Sequence, residues 1–188
     1  MIAPSELIIN PDGSCFHLHL KPEQLADKII MVGDPDRVNT VASYFDTKEC
    51  EVSSREFHTI TGTYKGKRIT TLSHGIGTDN IDIVLNELDA LANIDFASRT
   101  IKPEFRQLTM VRVGTSGGLQ PFVPVGTYVA AGKSIGFDGV LYFYAGSEEV
   151  RDKAFESELI RQLEWKLNDI KPYVVSADPS LVEQITQN

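Results

Sequence analysis

Twice along this chain an apolar strand empties into a glycine-bearing loop with an arginine at or near the turn. The two stretches are "IIMVGDPDR" (29–37) and "MVRVGTSGG" (110–118). In the first, Pro35 suits the opening turn of a helix, and Val38, Val41 and Phe45 follow at helical spacing. Strand, glycine, helix is a βα unit, and such a unit needs a sheet to pack against. The rest of the chain supplies one. Residues 51–73 read as antiparallel strands, with Lys65-Gly66 as a hairpin turn. Asp79 is the expected N-cap of a helix over 80–93, with Ile83, Leu85, Leu88 and Leu91 on its buried face. Residues 94–107, containing Pro103, read as a surface excursion.

Further strands are expected over 107–114, 125–137 and 171–178, with a long amphipathic helix over 147–168. Val150, Phe155, Leu159, Ile160 and Leu163 form that helix's apolar side. The alternation predicts an α/β fold with a central mixed β-sheet flanked by helices. Residues 1–188 are expected to form a single domain, with 1–14 as an N-terminal tail ahead of the "NPDGS" turn. The chain reaches Asn188 soon after the last strand without a closing helix, so the fold is expected to be incomplete at the C-terminus.

The net charge of −8, from 18 basic and 26 acidic residues, argues against binding a nucleic-acid polymer. It leaves room for a small anion held by a few converging arginines. No run approaches the ~20 apolar residues of a membrane span, and the N-terminus lacks a signal-peptide pattern. With only Cys15 and Cys50, a disulfide framework is not expected, and the setting is expected to be cytoplasmic.

Ligands of α/β sheets collect at the carboxyl ends of strands, where both glycine loops would lie. Glycines expose backbone N–H groups, and a helix N-terminus favours an anion. Arg37 and Arg112 are therefore candidates to face one pocket and hold a phosphate, with Thr115 or Ser116 adding a hydroxyl. Arg112 is the sharper case, because an arginine within an apolar strand is costly unless paired or bound to a ligand. From pattern alone, Arg55 and Glu56 read as a local ion pair on an exposed strand. His17 and His19 would share one strand face, without a third ligand at metal-binding spacing. Ser73 and His74 are adjacent but match no nucleophile motif, and "GKS" (132–134) lacks the earlier glycine of a P-loop.

Taken in order, "FHL" (16–18), "VGDPDRV" (32–38), "SREF" (54–57), "SHGIG" (73–77) and "VRVGTSGGLQP" (111–121) resemble the nucleoside phosphorylase family, most closely its uridine phosphorylase branch. The resemblance implies phosphorolysis of a nucleoside, with inorganic phosphate as co-substrate and no cofactor. A purine nucleoside phosphorylase, or a non-catalytic phosphate-binding relative, are the alternatives. It implies that Gly33, Arg37 and Arg112 contact phosphate and that Thr115 reaches phosphate and ribose, with Arg112 and Thr115 as the catalytic pair. It implies that Arg55 reaches a neighbouring subunit's phosphate and His17 its ribose, in a homodimer or a hexamer of dimers. Glu56 and Ile76 match positions that line a monovalent-cation (K+) site in some relatives, although this chain reads "GTDN" where those commonly read glycine, proline and serine. Residues that select the base are expected to lie beyond Asn188.

Overall fold

A computed structural model describes residues 1–167 and 170–187. The chain divides into two compact units, residues 1–116 and 117–188.

In the first unit the elements run β1 (Lys28–Val32), α1 (Pro35–Ala42), β2 (Thr47–Ser54), β3 (Phe57–Tyr64), β4 (Lys67–Ser73), α2 (Thr78–Asn93), the two-residue strands β5 (Ile94–Asp95) and β6 (Thr100–Ile101), and β7 (Thr109–Val113). Five strands form one mixed sheet in the order β2-β3-β4-β1-β7. β1 lies parallel to both β4 and β7, while β2, β3 and β4 form an antiparallel meander. The expected central mixed sheet is present.

Alternation along β1 explains the layering. Ile29 and Met31 join Leu72, Phe57 and the α2 residues Val84, Leu88 and Leu91 in one buried cluster. Val32 joins Ile60 and the α1 residues Val38 and Ala42 in another. The two helices thus cover opposite faces, each fully buried Leu or Phe contributing about 1.5–3 kcal/mol. On α2 the buried stripe runs through Val84, Leu88 and Leu91, and Leu85 is half exposed rather than in the core. The predicted N-cap also moves. Gly77, at φ +95°, ends the preceding loop, and Asp79 sits in the first turn, where its charge favours the helix dipole. The Lys65-Gly66 turn is as expected, with both residues at positive φ.

His17 and His19 do not share a strand. They fall in a turn in which the His19 amide donates to the Cys15 carbonyl, and His19 is left-handed. Residues before it run along the same unit: Ile9 bridges to Cys15, and the Ile2 amide donates to the Arg99 carbonyl.

Cys15 is fully buried, and burial together with the nearby Glu87 carboxylate pushes its thiol far above the ordinary range. Cys50, also unpaired, is half-buried. Titration of the native chain with a thiol reagent should therefore count one cysteine quickly and the second only after denaturation. Two fast thiols in the native state would contradict this placement of Cys15.

The second unit contains β8 (Lys133–Gly136), α3 (Lys153–Gln162), β9 (Tyr173–Ser176) and α4 (Pro179–Gln187). β8 and β9 pair with each other antiparallel. Only the end of the strand expected over 125–137 forms, because a strand needs a neighbour for its ladder bonds and β9 supplies one for 133–136 alone. The long helix expected over 147–168 shortens to α3, part of the expected range (168) lying outside the described residues. Arg151 is drawn into a bridge with Val175, and Asp152 caps the helix by accepting from the Phe155 amide. The expected apolar side is largely outward, with Phe155 and Leu163 exposed, and the buried residue of α3 is Glu156, paired to Arg151. A terminal helix, α4, is present against expectation. Its signal is legible in "DPSL": the Asp178 carboxylate accepts from the Ser180 and Leu181 amides, and Pro179 opens the first turn.

Candidate functional site

The loops leaving the carboxyl ends of β1, β4 and β7 close around one cleft of about 940 Å³. Parallel pairing sets them side by side. Val32 lies opposite Ser73 on one flank and Val113 on the other, so Gly33, His74 and Gly114 follow from three neighbouring strands. Gly33, Arg37, Arg112 and Thr115, nominated from sequence, all line this space.

Each is positioned by a local feature. Gly33 forms part of the floor: a Cβ there would lie 3.8 Å from the His74 Cε1 and 3.9 Å from an Arg112 Nη. Asp34 caps α1 by accepting from the Asp36 amide at 3.0 Å, which places Arg37 in the first turn of the helix, beside the cleft. Arg112 was expected inside a buried strand. β7 is instead the edge strand of this sheet and Arg112 is exposed overall, so desolvation does not force it to find a partner. Geometry holds it instead. Its Nε donates to His74 Nε2 at 2.9 Å, and its guanidinium folds over the Cα of Gly114, where any Cβ would overlap it.

His74 is the residue that sequence reasoning set aside. Its ring is 2% exposed. Burial, and after it the Arg112 charge, hold its pKa below the ordinary histidine range. The following glycines shape the loop: Gly75 has φ +67° and Gly77 φ +95°. A Cβ on Gly75 would also crowd Asn80 Nδ2 and Glu56 Cγ, each at 2.8 Å.

Glu56 and Ile76, the positions matching a cation site, meet through Asn80. Its Nδ2 donates to Glu56 Oε1 at 2.8 Å and to the Ile76 carbonyl at 3.1 Å. Both oxygens are thus turned to a polarised N–H pair, and a cation bound to them would face that donor. The Asn80 amide thus takes up one acceptor position on each of these two oxygens.

Arg55 and His17 stand apart from the cleft lining and meet around Phe16. Arg55 occupies the tip of the β2–β3 hairpin at φ +57°, a conformation costly for a residue with a Cβ. Its guanidinium lies 5.5 Å from the centre of the Phe16 ring, and His17 packs edge-on against the same ring at 4.8 Å. Rather than forming only an ion pair with its neighbour, Arg55 is stacked, while Glu56 is engaged by Asn80. Behind His17 stands Glu87, 8% exposed, whose carboxylate accepts from the His17 ring Nδ1 at 2.7 Å, the His17 amide at 2.9 Å and the Leu18 amide at 2.8 Å. Sequence reading missed Glu87, which stands one residue before Leu88 in the apolar stripe of α2.

Among the described residues, no group of three or more His, Cys, Asp or Glu side chains could hold a metal, and no helix is long and apolar enough to cross a membrane.

The family model of the phosphorylase superfamily matches residues 27–188. The chain is similar to a uridine phosphorylase of Thermococcus kodakarensis, at 30% identity over 73% of this chain and 44% of the relative. A DeoD-type purine nucleoside phosphorylase of Levilactobacillus brevis is 37% identical over 61% of this chain and 44% of that protein. Among solved structures, a Trypanosoma brucei nucleoside phosphorylase described as showing uridine phosphorylase activity superposes with a TM-score of 0.82. It is 34% identical and covers 96% of this chain and 61% of its own. The chain spans less than two thirds of the length of each of these relatives.

Proposed function

The chain belongs to the phosphorylase superfamily, and from that premise we propose that it carries the phosphate-binding part of a nucleoside phosphorylase acting on uridine. The observation that carries this reading is the convergence of Gly33, Arg37, Arg112 and Thr115 on one cleft. Two guanidiniums, a glycine floor and the Thr115 hydroxyl suit an oxyanion, and in an otherwise acidic chain the two arginines are concentrated locally.

In the proposed reaction a phosphate oxygen forms a bond to the anomeric carbon of the pentose while the bond to the base nitrogen breaks. The electron pair leaves with the base, whose nitrogen takes up the proton that hydrogen phosphate gives up, and the products are free base and pentose 1-phosphate. The chain's contribution is to fix the anion beneath the sugar and hold it at attack distance. Thr115 adds a hydroxyl between phosphate and ribose. Arg55 and His17, displayed together around Phe16, are proposed to serve the site of a second copy, so that active sites are shared within a homo-oligomer. Uridine is favoured by the activity described for the Trypanosoma brucei relative, and the DeoD-type relative makes a purine nucleoside the second reading.

The test is release of base from uridine and from inosine, with and without phosphate. Phosphate-dependent uracil release supports the reading; phosphate-dependent hypoxanthine release moves it to the purine branch. Release at equal rates without phosphate would contradict it.

The contact between Gly114 and Arg112 yields a separate prediction. In Gly114→Ala the new methyl displaces the flexible guanidinium rather than the backbone. Thermal stability should hold or rise slightly, as when a glycine at an ordinary φ gains a Cβ, while the phosphate Kd rises at least about fivefold, consistent with losing one preorganised charged contact. A variant that melts early yet binds normally would show that Gly114 serves the fold and not the arginine.

A further inference from the structure

The His74 ring poses a problem that the phosphate reading leaves unsolved. It is buried at the end of β4, its Nε2 accepts from Arg112 Nε at 2.9 Å, and its Nδ1 is buried with no hydrogen-bond partner among the described residues. A buried unpaired ring N–H is costly, so the arrangement persists only if the alternatives are worse. They are. Moving the proton to Nε2 would set two donors against each other at 2.9 Å. Protonating both nitrogens would add a cation beside a guanidinium. The one arrangement compatible with Arg112 is a neutral imidazole with its proton on Nδ1 and its lone pair on Nε2.

We propose that His74 is a positioning residue for phosphate binding: its neutral ring holds Arg112 Nε and so aims the two Nη groups at the anion. The inference rests on the phosphate reading of the cleft and adds to it what fixes the arginine. Among the described residues, no other hydrogen bond constrains the Arg112 side chain. Arg112 springs from an exposed edge strand, and Gly114 beside it offers room but no hydrogen-bond acceptor from a side chain. Asp34 and Glu56, the carboxylates lining the same cleft, are engaged elsewhere, Asp34 with the Asp36 amide and Glu56 with Asn80. His58, on the neighbouring β3, turns its ring to Pro35 and Glu51. A free arginine must lose its side-chain entropy on binding, whereas one already held by His74 has lost much of it beforehand.

Two measurements on the full chain test this. Nitrogen-15 NMR of the histidine rings in the unmutated protein, without ligand, should show His74 as the Nδ1–H tautomer, and Arg112→Ala should perturb that signal. An Nε2–H tautomer overturns the proposal without any mutation. Titration with inorganic phosphate at fixed pH should then show His74→Leu weaker by about three- to tenfold, the cost of ordering one long side chain. His74→Gln, whose amide oxygen can reach the same Nε–H, should return to within about twofold of the unmutated chain, a rescue that general packing loss does not predict. If His74→Leu binds as well as the unmutated chain while Arg112→Ala does not, the proposal fails and the phosphate site stands. If the unmutated chain binds no phosphate, the site reading fails first and the proposal with it.

Discussion

Arg112→Ala is expected to weaken phosphate binding by about 1.5–3 kcal/mol, roughly tenfold to 150-fold in Kd, as for loss of a hydrogen bond to a charged group. The reasoning is geometric. Arg112 is the nominated side chain whose orientation is held from two sides, by His74 Nε2 and by the bare Cα of Gly114. Because it projects from an exposed edge strand, its loss should cost folding stability no more than about 1–3 kcal/mol, the penalty for leaving the buried His74 Nε2 without its donor. Arg112→Lys keeps the charge but loses the Nε–H that His74 accepts and the planar fork, so it should recover only part of the affinity. Calorimetric titration at constant ionic strength is the check, since screening alone changes the binding of an anion. A Kd unchanged within twofold in Arg112→Ala would remove this residue from the site.

The second large effect concerns stability. Glu87→Ala is expected to destabilise the first unit by about 3–5 kcal/mol, the range for removing one partner from a buried charged network. The Glu87 carboxylate satisfies two backbone amides and the His17 ring, and deleting it leaves the buried Leu18 amide and its neighbour without acceptors. Glu87→Gln retains the volume and one oxygen and should lose about half as much. The melting temperature of Glu87→Ala should fall by about 10 °C or more, measured by circular dichroism and by denaturant unfolding. A loss below about 1 kcal/mol would mean that the turn over residues 15–20 is held by its apolar contacts and its own backbone hydrogen bonds without help from Glu87. Because the same carboxylate anchors the ring of His17, any role of that histidine in a second copy's site should fail with it.

The first βα unit was legible because its signals are local: an apolar run, Gly33, then Pro35 at the first helical position with Val38 following. The β3–β4 hairpin was legible for the same reason, through Lys65-Gly66. The α4 helix carried an equally local signal in Asp178 and Pro179 that was overlooked. By contrast, the pairing of His74 with Arg112 depends on β4 and β7 flanking β1 in matched parallel register, and neither residue's neighbours in sequence encode that register. Glu87 was hidden for a related reason. A carboxylate on the core face of α2 looks misplaced until the turn carrying the His17 and Leu18 amides is set against it. The strand expected over 125–137 failed in the opposite direction. Its local pattern suits a strand, but pairing is limited to 133–136.

The central claim is that inorganic phosphate binds where the loops after β1, β4 and β7 meet, and it can be tested without turnover. In a nitrogen-15 NMR titration of the chain with phosphate, the amides of Gly33, Gly114 and Thr115 and the Nε signal of Arg112 should shift together and saturate at one Kd. If those four signals stay still while phosphate is added, or if only scattered surface lysines respond, the cleft is not a phosphate site.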